Sequence, residues 1–121
     1  MNIEEKDVSE YLKISVNLIE NLIKMVSEKD DINEIIDIYG QVIEGLNLLC
    51  KYIITLIDKE IVVNNLEVNN IKNETILFKE YCINYVDGLL NPNEYIIEKY
   101  KRLIDEQSNI WTDCVNQCIN V

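Results

Sequence analysis

Leu12, Val16, Ile19, Ile23 and Val26 are separated by alternating steps of four and three residues. That spacing lines side chains along one stripe of an α-helix and scatters them over both faces of a strand. The pattern recurs in three later segments, two of them opened by helix-start signals. A chain with four such stripes must bury them against one another, and with short connections the simplest solution is an all-α, antiparallel up-down-up-down four-helix bundle. Residues 1–121 are accordingly expected to form a single helical-bundle domain.

The boundaries follow from the punctuation. Asp7 is expected to cap the first helix, with Glu10 three residues on as in a capping box, and the charged run Ser27–Asp31 to end it. Asp31 and Glu34 form a second box. The helix after it is expected to run to about Asp58, with Ile32, Ile35, Tyr39, Val42, Leu46, Leu49, Ile53 and Ile57 in phase. Adding Ile36, Ile38, Ile43, Cys50, Ile54 and Leu56 widens the apolar arc to roughly 160°, enough to touch two neighbours. Residues 59–65 read as a connection. A third helix is expected to reach about Leu90, with Ile71, Phe78, Cys82, Tyr85 and Leu89 in phase, and Glu67 and Glu74 on the same face. Asn91, Pro92 and Glu94 read as cap, first helical residue and capping-box partner of a fourth helix carrying Ile97, Tyr100, Ile104, Trp111, Cys114, Val115 and Cys118.

Charge narrows the partners. Twenty-two acidic residues against eleven basic ones give a net charge of −11, with residues 1–60 (13 acids, 6 bases) at −7 and the remainder (9 acids, 5 bases) at −4. Such a surface repels nucleic-acid phosphates and anionic lipid and attracts a basic protein or peptide. No segment is expected to combine the length and freedom from charge of a membrane span, and the acidic start does not read as a signal peptide, so the expected location is cytoplasmic. Cys50, Cys82, Cys114 and Cys118 are then expected to be reduced, free thiols.

Little catalytic chemistry is on offer. The chain has no histidine, so it lacks the commonest general base and metal ligand. Cys114 and Cys118 have a zinc-compatible i, i+4 spacing, but an antiparallel bundle sets Cys82 on the order of 10–20 Å from them at about 1.5 Å of rise per residue. The expectation is no metal, no cofactor and no enzymatic activity. Glu67 and Glu74 are the one candidate carboxylate pair, with a partly solvated helix start as the plainer reading.

The second helix nevertheless carries Gly40 and Gly45 in its interior, each costing about 1 kcal/mol relative to alanine. They lie on opposite edges of the apolar arc, where neighbouring helices would press closely or where a glycine would floor a shallow groove for a partner helix. Leu48 projects from the polar face near Glu44 and Thr55. Gly40, Gly45, Leu48 and Trp111 are therefore the candidate partner-binding residues.

The runs "IDIYGQVIEGLNLLCKYI" and "LFKEYCINYVDGLLNPNEYIIEKYKRLIDEQSNIW" resemble an uncharacterised family of small, acidic, all-helical proteins of low-GC Gram-positive bacteria. The shared features are the Glu44-Gly45-Leu46 segment and a late helix pair ending at Trp111. Size and architecture are also similar to those of flagellar export chaperones, which clasp a helical segment of a secreted subunit. The expected function is a non-enzymatic protein-binding module, such as a small chaperone, an adaptor or an immunity-type inhibitor. Its partner would offer a helical or basic segment. The alternative is a structural homo-oligomer, at its simplest a homodimer.

Overall fold

A computed structural model describes the backbone of residues 5–58 and 65–119, with side chains from 7 to 58 and from 69 to 117. Four helices follow in order: α1 (Glu5–Val26), α2 (Ile32–Asp58), α3 (Asn65–Leu90) and α4 (Glu94–Ile119). Residues 59–64, read as a connection, lie outside the described residues.

Two of the expected helix starts shift. α1 already begins at Glu5, so Asp7 sits inside its first turn, where a carboxylate favours the positive end of the helix dipole without capping it. Asp31 caps α2 as expected: its Oδ1 accepts the Asn33 N–H at 2.8 Å, and its carbonyl accepts the Ile35 N–H at 3.0 Å. The cap of α4 is Asn93, whose Oδ1 accepts the Ile96 N–H at 3.2 Å, and neither Asn91 nor Pro92 belongs to that helix. α3 claims Asn91 instead. Asn91 donates its N–H to the Asp87 carbonyl and Asn93 donates to that of Gly88, so the turn satisfies the end of α3 before α4 can start.

Each helix packs on its neighbours in sequence, and α1 closes the ring on α4; the diagonal pairs stay apart among the described residues. The α3–α4 seam is the most extensive and the α1–α4 seam the least. One core runs through all four helices, including Leu12, Val16 and Ile19 of α1, Val42, Leu46 and Ile53 of α2, Phe78 and Cys82 of α3, and Ile104, Trp111 and Val115 of α4. The expected stripes are its backbone, although Ile32 at the start of α2 is exposed. By length and composition α2 is apolar enough to cross a membrane, which corrects the expectation that no segment qualifies. Here eight of its residues are buried inside the bundle.

The register decides where surface is left uncovered. Thr112 Oγ1 donates to Glu20 Oε1 at 3.2 Å across the α1–α4 seam. Counting from that pair in antiparallel helices, Val26 at the end of α1 lies level with about Glu106, so the first ~12 residues of α4 extend ~18 Å beyond α1 at 1.5 Å per residue.

Candidate protein-binding face

α1 carries a second apolar stripe that the bundle leaves in solvent. Tyr11, Ile14, Leu18 and Met25 follow at steps of three, four and seven residues, the spacing of a coiled-coil seam, and all four are exposed. The core stripe of Val8, Leu12, Val16 and Ile19 lies roughly 110–120° away around the same helix, so a helix already packed on its core face still has greasy positions to spare.

The contacts with α2 place this stripe. Tyr11 stacks on Tyr52 with ring centroids 3.9 Å apart, and Ile19 lies beside Gly45. Leu48 sits between Gly45 and Tyr52 along that edge of α2, one helical turn from each, and its side chain points outward. Ile14 is 67%, Leu18 54% and Leu48 52% exposed. The Tyr11–Tyr52 and Ile19–Gly45 contacts set these exposed apolar side chains at the same level on the neighbouring helices α1 and α2. Exposed carboxylates frame them: Asp7 and Glu10 on α1, Asp37 and Glu44 on α2, with Lys51 as the nearby counter-charge.

The four residues singled out from the sequence do not share one site. Leu48 and Gly45 lie on the α1 side of α2, Gly45 half-buried. Gly40 lies ~140° around the helix from Gly45. It is exposed, and a Cβ built there would meet nothing within 4 Å among the described residues, so none of the described helix segments presses against it and the close-approach reading is corrected. A Cβ at Gly45 would stand 3.7 Å from Ile19 Cγ1, ordinary contact that needs no glycine. The close approach falls at Gly88 of α3, where a Cβ would come within 2.9 Å of Ile96 Cγ2 and 3.4 Å of Ile97 Cγ1 of α4. Trp111 is fully buried and offers nothing to a partner in the folded chain, a second correction. Its bulk and periodicity marked an important position; its place was the core.

A buried polar relay surrounds Trp111. Its Nε1–H donates to Thr75 Oγ1 at 2.9 Å, and the Thr75 hydroxyl donates to the Ile71 carbonyl at 2.6 Å. One turn away Gln107 Nε2 donates to the Glu74 carbonyl at 3.1 Å and to Glu74 Oε2 at 2.5 Å. Glu74 is thus a hydrogen-bond acceptor for α4, while the side chain of Glu67, its proposed companion, lies outside the described residues. Thr75 and Gln107 escaped the sequence reading because a lone Thr or Gln within a helical stripe carries no periodic signal.

Among the described residues no group of three or more His, Cys, Asp or Glu side chains converges in a metal-binding arrangement. Cys118 lies outside the described side chains. Burial pushes the Cys82 thiol up to about 12 and raises that of Cys50. Both behave as small apolar groups at neutral pH.

No protein-family model, curated protein or solved structure matches the chain.

Proposed function

We propose that this protein is a non-enzymatic binding module whose α1–α2 face receives an amphipathic helix with basic flanks, in the manner of a small chaperone, adaptor or immunity-type inhibitor. The observation that carries the reading is the exposed stripe of Tyr11, Ile14, Leu18 and Met25 with Leu48 beside it. A helix laid along that face would bury its own 3-4 stripe on these residues. Its basic flanks would face Asp7, Glu10, Asp37 and Glu44. Such charge matching sets partner choice and association rate more than affinity.

Self-association along the same stripe is the alternative, since a coiled-coil spacing is self-complementary in shape. Charge weighs against it. Two copies, each at −11 with the larger share in the half that contains α1 and α2, would bring like charges together at the seam.

The test uses a designed amphipathic helix, with leucines at 3-4 spacing and lysine flanks, against a twin carrying glutamate flanks. The lysine peptide should bind, shift amide resonances of α1 and α2, and lose its affinity in an Ile14→Asp/Leu18→Asp double variant that retains full helicity. Light scattering on the unliganded chain should give a monomer. A dimer dissociated by the same double variant would favour self-association, and equal binding of both peptides would remove the charge argument.

A further inference from the structure

Where α1 stops short, the α1–α4 seam opens into a cleft of about 370 Å³ at the end of the bundle. Ile23 and Val26 of α1 and Ile35 of α2 form its apolar wall. Tyr39 of α2 and Tyr85 of α3 reach it from the far side, their rings tilted against each other at 5.0 Å. Lys29, Asp30, Lys101 and Asp105 stand around it.

The two tyrosines are the anomaly. They are only 5% and 7% exposed, yet neither hydroxyl has a hydrogen-bond partner among the described residues. Buried phenols normally find one, because leaving such a group unpaired away from water is costly. Asp105 lacks a partner too: the one ion pair among the described residues joins Lys29 to Glu34 at 3.9 Å, so no described ammonium or guanidinium group lies within 4 Å of the Asp105 carboxylate. Its charge, after burial, helps to raise both phenols above their ordinary value. The cleft therefore combines an aliphatic wall with two unpartnered phenols and the Asp105 carboxylate, and Lys29, Lys101 and Asp30 also line it.

We propose that this cleft binds an ammonium or guanidinium group carried on an aliphatic stem, the stem against Ile23, Val26 and Ile35 and the head accepted by Tyr39, Tyr85 and Asp105. The Asp105 carboxylate, whose charge acts on both phenols, favours a cation beside them, and a neutral donor would forgo the charge-assisted bond. The volume suits a small ligand or one long basic side chain. The site is distinct from the α1–α2 face and does not depend on helix binding there.

The probe is n-butylguanidinium chloride titrated into the full chain, with n-butylurea as its neutral isostere, read on the phenolic carbons of ¹³C-tyrosine-labelled protein. The cation should shift Tyr39 and Tyr85 saturably, leave exposed Tyr95 unmoved, and bind about tenfold or more tighter than the urea. Asp105→Asn should erase that preference, and Glu106→Gln should keep it. Absence of a saturable shift, equal binding of the urea, or an unchanged preference in Asp105→Asn would overturn the proposal. Should Asp105→Asn lose its helical circular dichroism, the comparison of cation and urea on the unaltered chain decides alone. Two further arms separate the sources of the group. Putrescine stands for a free amine, and a helical peptide with a single arginine, against its citrulline twin, stands for a partner side chain. The tighter of the two cations at the same tyrosines names the source.

Discussion

Trp111 of α4 donates its indole N–H to the hydroxyl of Thr75 in α3, 2.9 Å away, with both side chains fully excluded from solvent. The same hydroxyl donates to the Ile71 carbonyl, so one threonine satisfies the only polar atom of the largest core side chain and ties it to the backbone of the neighbouring helix. Thr75→Val preserves the shape but strands the indole N–H. It should cost about 1–3 kcal/mol in urea unfolding. The same change made in a Trp111→Phe background should cost less by about 0.5–1.5 kcal/mol, the coupling a double-mutant cycle would read. Additive effects would mean that the bond contributes nothing.

The three glycines should separate cleanly. Gly40→Ala adds a methyl in open space within a helix and should stabilise by about 1 kcal/mol, with Gly45→Ala close behind. Gly88→Ala places a methyl 2.9 Å from a branch of Ile96 and forces α3 and α4 apart, a cost of about 1–3 kcal/mol. Denaturation midpoints in the order Gly40→Ala above the parent and the parent above Gly88→Ala would bear this out. A destabilised Gly40→Ala would point to a role in binding or to a packing partner at that site.

Tyr39→Phe and Tyr85→Phe each remove a buried hydroxyl that no described protein group satisfies. Each should leave stability unchanged or raise it by up to about 1 kcal/mol. Both should weaken binding of n-butylguanidinium. A loss of more than about 2 kcal/mol in thermal or urea unfolding would mean that the hydroxyl is already satisfied in the native state.

Stability should fall as the solution is made alkaline. Cys82 has an ordinary value of 9.0 and is pushed up to about 12 by burial, so below pH 9 both folded and unfolded chains hold the proton. Between about pH 9 and 12 the unfolded chain releases it while the folded chain retains it, and stability declines with each unit. Tyr39, Cys50 and Tyr85 are shifted in the same direction and steepen the decline. Urea midpoints measured from pH 7 to 11 should drop above pH 9, and Cys82→Val should make the drop shallower. A midpoint that rose with pH would contradict the burial of these groups.

Much of the fold was legible because helix periodicity is a local property. Leu12, Val16 and Ile19 on one helix, and Phe78, Cys82 and Tyr85 on another, line up from spacing alone and are buried as expected. Helix ends were less legible. Asn91 and Asn93 are equally good caps by composition, and the choice fell to Asn93 because α3 runs on to Leu90 and its last carbonyls needed the intervening turn. The apolar stripe of Tyr11, Ile14, Leu18 and Met25 stands in the sequence beside the buried one, but spacing cannot rank two stripes on the same helix.

From its residues alone the chain determined that it would be helical and acidic, with four greasy stripes to hide, because 3.6-residue periodicity and net charge need no knowledge of neighbours. Only the tertiary structure decided which glycine is squeezed, that Trp111 points inward to Thr75, and that two buried tyrosines meet at a cleft with no hydroxyl partner among the described residues. Those outcomes depend on the offset between helices. A shift of one turn along an axis leaves every stripe intact while exchanging every partner.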